Sequence, residues 1–175
     1  MEYEKIYAYI KGLLSARMGN YMVFFPSYKM LEEVARITEL KGLPEGFRLY
    51  CQNPGMQEKE REQFLLQFEQ EGTVGFCIMG GIFSEGIDLT GERLIGAVIV
   101  GTGIPMVCRE REILRQYFEN REGMGFAYAY QYPGMNKVMQ AAGRVIRTTT
   151  DKGVILLLDE RFLYASNQQL FPDEW

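Results

Sequence analysis

Histidine is absent from this sequence of 175 residues. The chain therefore cannot carry a Ser-His-Asp triad, a histidine general base or a zinc site with histidine ligands. Cysteine is scarce, and Cys51, Cys77 and Cys108 are too widely spaced for a disulfide framework or for the usual zinc and iron–sulfur motifs. We therefore expect a reduced, cytoplasmic protein with no metal site of its own.

Long apolar runs are also lacking. No segment approaches the roughly 20 apolar residues of a membrane span, and the first residues show no signal-peptide pattern, so no membrane partner is expected. The net charge of −4 does not attract the chain to nucleic acid, so any such contact must come from a local patch. Hydrophobic residues make up 47% and charged residues 24%, without repeats or linkers, which predicts one domain over residues 1–175.

The sequence alternates short apolar segments with longer helical ones, which predicts parallel βα units. Because the strand segments are continuously apolar, helices should cover both faces of the sheet. The expected fold is α/β, with three layers and a mainly parallel sheet. The predicted strands are 21–25, 47–51, 74–79, 94–100 and 154–158, and the predicted helices are 2–18, 28–40, 57–70, 107–121 and 135–148. The apolar stripe of helix 28–40 should extend to Leu40.

The segment QAAGRVIR carries the strongest chemical signal. Gln140, Arg144 and Arg147 share one face of the predicted helix, and arginine forks suit phosphate oxygens. Gly143 in the middle of a helix costs roughly 1 kcal/mol relative to alanine, which favours close approach of a ligand to the backbone. The opposite face should dock on the sheet and holds Val138, Ala141, Ala142, Val145 and Ile146. The alternative is an amphipathic helix with a solvated polar face.

Two segments that follow strands add weaker signals. The segment GGIFSEGIDL places glycine N–H groups, a hydroxyl and two carboxylates where open parallel sheets bind ligands. Its candidate residues are Ser84, Glu85, Gly86 and Asp88. Ser27 stands at the start of a predicted helix, where unpaired N–H groups can bind an anion. A generic βα turn and a plain helix N-cap are the respective alternatives.

In this order and spacing, the three segments resemble the second RecA-like motor domain of superfamily-2 helicases of the DinG/XPD family. Motif IV resembles the segment VFFPSY, and motif V resembles GGIFSEGIDLTG. Motif VI resembles QAAGRVIRTTTDKG, and the strand that follows this motif resembles LLLDERF. The resemblance covers roughly residues 19–175. It implies a RecA-like (P-loop NTPase-like) fold and the C-terminal half of an ATP-dependent DNA helicase motor.

In that family ATP lies between two RecA-like domains, and single-stranded DNA crosses both. The resemblance therefore implies that Arg147 is an arginine finger, with Arg144 and Gln140 beside it as catalytic residues. It implies nucleotide-binding or coupling roles for Glu85, Gly86, Asp88 and Gly143, and DNA contacts for Ser27 and Ser84. The implied partners are single-stranded DNA and the first RecA-like domain of the same protein. The resemblance also implies a helicase of 5′-to-3′ polarity.

The sequence departs from a complete helicase because it has no Gly-Lys dipeptide, which a Walker A loop requires. Asp159 and Glu160 resemble the end of a Walker B strand but have no phosphate loop to serve, and Asp159 should instead fix a turn with Arg161. ATP and Mg²⁺ would be bound mainly by the missing first motor domain, which would also hold any iron–sulfur cluster. The chain alone is expected to be inactive. The alternative function is a non-catalytic doubly wound domain that binds a ligand or a protein.

Two other segments are interpreted as structural. The arginine-rich helix over 107–121 is typical of a solvated helix with charge pairs three and four residues apart, rather than of a DNA channel wall. Tyr128, Tyr130 and Tyr132 could stack on bases, but aromatic residues in such a run more often pack against one another.

Overall fold

Five strands form one all-parallel sheet in the computed structural model, which describes residues 3–83, 89, 93–146 and 151–173. The strands are β1 (Tyr21–Phe25), β2 (Arg48–Cys51), β3 (Thr73–Ile78), β4 (Gly96–Val100) and β5 (Val154–Leu158). Their order across the sheet is β2-β3-β1-β4-β5. The predicted α/β class and parallel sheet are confirmed, and each observed strand falls within about two residues of its predicted bounds.

Helices connect and cover these strands. They are α1 (Tyr3–Ala16), α2 (Tyr28–Lys41), α3 (Glu58–Leu66), α4 (Arg109–Glu122), α5 (Tyr132–Ala142) and the short α6 (Ala165–Gln168). Single 3₁₀ turns cover Gln67–Glu69 and Glu160–Leu163, and a π-helical segment, Ala127–Gln131, leads into α5. In the described ranges, no helix has both the length and the apolar character needed to cross a membrane.

The sheet separates two hydrophobic clusters. Alternate side chains of each strand point to opposite faces, so Val23 and Phe25 join the cluster under α1 and α2, while Met22 and Phe24 join the cluster under α3 and α5. We call these the α1/α2 face and the α3/α5 face. All five residues of β1 and of β4 are buried, as expected for central strands covered on both sides.

The α1/α2 face is closed by packing of the two helices on each other. Ile6, Ile10 and Leu14 of α1 are buried, and the Tyr7 hydroxyl donates a hydrogen bond of 2.8 Å to the carbonyl of Gly42 just beyond α2. The expectation that the apolar stripe of α2 includes Leu40 is wrong, since this side chain is 77% exposed. Helix α2 instead buries Ala35 and Thr38, so its buried face lies on the side of the helix away from Leu40.

One buried amide connects three segments at the amino ends of the strands. Asn20, just before β1, donates from Nδ2 to the carbonyls of Phe68 at 2.8 Å and Arg93 at 3.1 Å. Its Oδ1 accepts a hydrogen bond of 2.9 Å from the N–H of Thr73. Because a buried polar group must find partners, these bonds fix the approach of the chain to β1, β3 and β4 together.

Helix α4 lies outside both clusters and has no buried residue. It is attached to the π-helical segment instead: the Arg111 Nη1 donates a 2.7 Å hydrogen bond to the carbonyl of Ala129. Pro133, four residues after Ala129, has no N–H to give to that carbonyl. Arg111 therefore supplies a donor that the helix itself cannot, and it is occupied in the structure of the domain.

Helix α5 approaches the segment that follows β4 very closely at Gly134. A Cβ atom on Gly134 would lie 2.6 Å from the carbonyl oxygen of Thr102 and 3.0 Å from the nitrogen of Ile104. Only glycine permits this contact without a shift of backbone. The close approach fixes the height of α5 over the sheet and so positions the polar residues at its far end.

Candidate functional site

The polar face around Gln140 and Arg144 lies at the surface of the domain. Gln140 is exposed on α5, and Arg144 is partly exposed two residues beyond the last residue of the helix, Ala142. The Arg144 Nε donates a 3.2 Å hydrogen bond to the carbonyl of Gln140, so the two predicted site residues lie together. Arg147 lies outside the described residues.

The helix that carries this face ends earlier than predicted. α5 stops at Ala142, and Gly143 is its C-cap with φ −64°, ψ 0°. The prediction that Gly143 lies in mid-helix is therefore wrong, and the associated cost relative to alanine does not arise. Among the described residues, a Cβ atom there would contact carbonyl oxygens of the preceding turn, that of Met139 at 3.2 Å and that of Gln140 at 3.8 Å. Gly143 itself is partly exposed.

The opposite face of this helix packs on the sheet largely as predicted. Val138, Ala141, Ala142 and Val145 are all buried in the cluster of the α3/α5 face. Ile146 is the exception, being 42% exposed, so its predicted docking on the sheet is wrong. The reason is that the helix has already ended, so helical periodicity no longer directs this side chain inward.

The end of α5 lies near the amino ends of the strands. A Cβ atom on Gly153, just before β5, would lie 2.2 Å from a methyl group of Val145 and 3.0 Å from the carbonyl of Ile95, just before β4. Arg144, the neighbour of Val145, is therefore at the amino edge of the sheet. Ser27, which follows β1, is at the carboxyl edge. The structure thus separates the predicted site residues into two groups rather than one.

The glycine loop after β3 begins beside α5. A Cβ atom on Gly80, which has φ +70°, would lie 2.9 Å from Cδ of Lys137, one helical turn before Gln140. The described start of this loop is therefore adjacent to α5, the helix that precedes the predicted arginines in sequence. The predicted site residues Ser84, Glu85, Gly86 and Asp88 lie outside the described part of the chain.

Ser27 caps helix α2 at the carboxyl edge. It has an extended backbone, and its Oγ accepts a hydrogen bond of 3.3 Å from the N–H of Met30, so the plain N-cap interpretation is confirmed. An N-cap accepts only one of the orphan N–H groups of the first turn. The remaining donors still favour an anion at this helix end.

Sequence reasoning missed a buried glutamine that connects the carboxyl ends of two strands to the start of a helix. Gln52 is 4% exposed; its Oε1 accepts from the N–H of Ile78 at 2.9 Å, and its Nε2 donates to the Tyr28 hydroxyl at 3.0 Å. These bonds join the ends of β2 and β3 to the first residue of α2. A glutamine after an apolar strand was the available signal, but its partners are distant in sequence.

Asp159 and Arg161 form the expected turn after β5. The Asp159 carboxylate accepts from the backbone N–H of Arg161 at 2.9 Å and from its guanidinium at 2.8 and 2.7 Å. These hydrogen bonds to Arg161 hold the pKa of Asp159 below its ordinary value, against the opposing effect of burial. Asp159 is thus committed to a turn, and the described residues contain no cluster of three Asp, Glu or Cys side chains that could hold a metal ion.

The charged residues of α4 pair with one another as expected for a solvated helix. Glu112 contacts Arg115 at 2.9 Å and also accepts a 2.6 Å hydrogen bond from the Tyr130 hydroxyl. Tyr128 stacks on Phe118 of α4, with ring centroids 4.3 Å apart. The described contacts are those expected of a solvated helix with paired charges and of aromatic rings that pack on one another.

An all-parallel sheet with helices on both faces defines an open, doubly wound α/β domain, and Gln140 and Arg144 lie at its surface. A family model described as the helicase C-terminal domain matches residues 10–175. The chain belongs to this family of helicase C-terminal domains.

Similar sequences and structures agree with this assignment. The chain is 32% identical to a probable ATP-dependent helicase of Methanocaldococcus jannaschii, over 91% of this chain and 26% of that protein. It is 28% identical to regulator of telomere elongation helicase 1 of Mus musculus, over 86% of this chain and 14% of that protein. The chain thus spans about a quarter or less of these relatives.

Solved structures share the fold. An XPD helicase structure superposes with a TM-score of 0.72 at 22% identity, over 95% of this chain and 29% of that chain. The C-terminal domain of the DEAD-box protein Dbp5 gives a TM-score of 0.54 at 13% identity, over 95% of this chain and 78% of that one. These likenesses bear out the RecA-like fold that the motifs predict.

Proposed function

We propose that this chain is the C-terminal motor domain of an ATP-dependent DNA helicase and that it acts on ATP bound by a companion domain. The observation that carries the proposal is the exposed Gln140 and partly exposed Arg144 at the amino edge of a domain of the helicase C-terminal family. Gln140 is exposed and Arg144 is partly exposed, with its Nε bonded to the carbonyl of Gln140. A guanidinium and an amide side by side at the surface are suited to a ligand held by another domain.

In this proposal the arginines act on phosphate oxygens. Arg147 is the finger, and Arg144 and Gln140 support it; their fixed donors stabilise the negative charge that develops as a phosphoryl group is transferred. ATP, when bound by the companion domain, supplies the phosphoanhydride bond that water cleaves. The sequence has no phosphate-binding loop, and the described residues have no cluster of side chains that could hold Mg²⁺. The chain is therefore proposed to activate a nucleotide bound by the companion domain rather than to bind it primarily itself.

Splitting the site between two domains makes hydrolysis depend on closure. Arginines on this domain reach the phosphates only when both domains come together, so each hydrolysis event reports a closed state. Glu85, Gly86, Asp88 and Gly143 are the residues proposed to couple that closure to the rest of the domain. The contact between Gly80 and Lys137 supports this, since it links the loop after β3 to α5.

A DNA track at the carboxyl edge is the second element of the proposal. The start of α2, with Ser27, offers backbone N–H groups to a phosphate, and Ser84 is proposed to add a hydroxyl. Such contacts read the backbone rather than the bases, so binding should be independent of sequence and sensitive to salt. The net charge of −4 means that attraction must arise from this local geometry.

The finger is tested by Arg147→Ala in the longer polypeptide that contains the companion domain. We expect ATP turnover to fall by about 10³-fold or more, with nucleotide affinity changed only a few-fold. Arg36→Ala is the matched control, because Arg36 lies on α2, on the opposite face of the sheet, and pairs with Glu33 at the surface. Near-normal turnover in Arg147→Ala would reject the finger assignment.

The track is tested by Ser27→Asp, measured as binding to a fluorescent oligothymidine. Aspartate is as good an N-cap as serine, so stability should be unchanged, while its charge should repel a phosphate. We expect at least about tenfold weaker binding, with Ser27→Asn as the neutral capping control. Equal affinity of the two variants would exclude a phosphate contact at this helix start.

A further inference from the structure

Helix α4 is attached to the domain by its polar side chains. Arg111 donates a 2.7 Å hydrogen bond to a carbonyl of the π-helical segment, and Glu112 accepts one of 2.6 Å from the Tyr130 hydroxyl. Two turns later, Glu119 accepts a hydrogen bond of 2.9 Å from the N–H of Gly125. A surface helix ordinarily turns its apolar stripe to the core and its polar side to water. The orientation of α4 is largely the reverse.

The large apolar side chains of α4 lie mostly on its outer side. Ile113 is 62% exposed, Tyr117 is 53% exposed and Leu114 is 42% exposed. At 100° per residue, the mean direction of Ile113 and Tyr117 is about 160° from that of the three polar residues that attach the helix. Phe118, which stacks on Tyr128, is the apolar residue that does contribute to attachment. We call Ile113, Leu114 and Tyr117 the outer face of α4.

The segment that leads into α4 is apolar and exposed as well. Met106 is 88% exposed and Val107 is 74% exposed. Val107 precedes the N-cap residue Cys108, and the position against which it would pack in a hydrophobic staple is occupied by Glu112. Apolar side chains concentrated in this way at a surface mark an interaction site.

The charge of the helix favours a protein rather than a nucleic acid on this face. The α4 sequence, REREILRQYFENRE, contains four arginines and four glutamates, so its net charge is zero. A polyanion binds where lysine and arginine outnumber acidic residues and release its counterions. An uncharged centre between balanced charges is instead typical of a contact between protein surfaces.

The size of the face favours a domain of the same polypeptide over a second copy of the chain. A helix of 14 residues is about 21 Å long and about 10 Å wide, so one side of it offers roughly 200 Å². Two copies packed through α4 would bury about 400 Å², far less than the roughly 1,200 Å² of a stable complex. A domain tethered nearby needs less area, because its effective concentration is high.

The position of α4 is suited to such a domain. The helix follows β4 and packs on the segment leading into α5, where Gly134 touches the residues after β4, so α4 lies at the carboxyl edge of the sheet. Both described ends of the chain are at this edge, since Lys5 and Asp173 line one groove with Asp159, directly after β5. Residues before α1 therefore enter at the edge that carries α4, whereas Arg144 lies at the amino edge.

We propose that the outer face of α4 packs against a preceding domain of a longer polypeptide, and that this contact persists without nucleotide. The chain covers 26% of its Methanocaldococcus jannaschii relative, so about three quarters of that protein lies outside the matched part. A lasting apolar contact at the carboxyl edge would hold the domains together while the polar face around Gln140 and Arg144 opens and closes. The inference goes beyond the proposed function, because the contact requires neither ATP nor DNA.

Hydroxyl-radical footprinting read by mass spectrometry tests the proposal without any substitution. In the 175-residue chain, we expect Ile113 and Tyr117 to be oxidised rapidly. In the natural polypeptide with further residues before Tyr3, measured without nucleotide or DNA, their oxidation should slow by at least about fivefold, because an interface excludes water from its centre. Leu40, which is 77% exposed on α2, is the internal control and should be oxidised equally in both samples.

A substitution then separates the contact from the stability of the domain. Ile113→Asn should leave the urea midpoint of the 175-residue chain unchanged, because the side chain is exposed there. In the longer polypeptide, Ile113→Asn should restore the oxidation of Tyr117 toward the rate in the 175-residue chain. Leu40→Asn, the matched control, should leave Tyr117 protected.

Four results would overturn the inference. One is equal oxidation of the outer face of α4 in both samples, and a second is protection that appears only when a nucleotide is added. A third is protection that requires an oligothymidine, which would assign the face to DNA. The fourth is protection in the 175-residue chain that disappears on dilution, which would assign it to a second copy. A longer polypeptide with a protected outer face but no ATP turnover would reject the proposed function and support this inference.

Discussion

Replacement of Asn20 by alanine should strongly destabilise the domain. The side chain is 4% exposed and makes three hydrogen bonds, two as a donor and one as an acceptor. Each such bond contributes about 1 kcal/mol net, so Asn20→Ala should lower the free energy of unfolding by about 3 kcal/mol. That is a large part of the roughly 5–15 kcal/mol that stabilises a typical domain. It corresponds to a fall in Tm of about 6–12 °C.

Urea unfolding followed by far-UV circular dichroism measures this loss. Asn53→Ala is the matched control: Asn53 lies in an exposed turn, so its variant should stay within about 0.5 kcal/mol of the parent. Asn20→Asp sharpens the test, because its carboxylate would face the carbonyl oxygens of Phe68 and Arg93 in place of Nδ2. It should be at least as unstable as Asn20→Ala at pH 7 and should partly recover near pH 4. A loss below about 1 kcal/mol for Asn20→Ala, or a stable Asn20→Asp at pH 7, would refute the reasoning.

Three further predictions concern charge, thiols and packing. Asp159→Ala should lower the free energy of unfolding by about 1–2 kcal/mol through loss of a helix cap. Because the pKa of Asp159 is lowered in the folded state, its carboxylate stabilises the fold fully above the ordinary pKa of about 3.9, and this stabilisation is lost as the pH falls through the lowered value. The urea midpoints of parent and variant should therefore converge below about pH 4. A thiol reagent at pH 8 should modify one cysteine per folded chain, the exposed Cys108. The other two thiols should not react, because burial raises the pKa of Cys51 to about 12 and that of Cys77 well above its usual value. Fast reaction of the Cys108→Ser variant with the reagent would contradict this prediction. Gly134→Ala should lower the unfolding free energy by about 1–3 kcal/mol through overpacking against β4, and an unchanged Tm would show that α5 can shift at no cost.

The layered architecture could be predicted because it depends on local patterns. The segments that became β1 and β4 are continuously apolar, and the positions of Ser27 and Pro26 correctly mark the boundary between β1 and α2. Which faces the helices cover follows from the same patterns, since a parallel sheet needs both sides covered. Helical periodicity likewise placed Gln140 on the exposed face, whereas Arg144, beyond the end of α5, is only partly exposed.

Features that depend on distant contacts were not predictable. The π-helical segment lies just before Pro133, and Arg111, from another helix, donates a hydrogen bond to the carbonyl of Ala129 within it. The early end of α5 at Ala142 left Ile146 exposed, although helical periodicity assigned it to the buried face. Asn20 and Gln52 have partners far away in sequence, and an amide side chain alone does not reveal them.

The central position of β1 determines how this domain can assemble. Tyr21 is opposite Val74 on one side and Gly96 on the other, so β1 lies between two strands that are synthesised after it. Until β3 leaves the ribosome, the apolar YMVFF segment has no strand to pair with. The domain therefore folds late and through long-range contacts, and nascent chains that stop before residue 73 should depend on a chaperone to avoid aggregation.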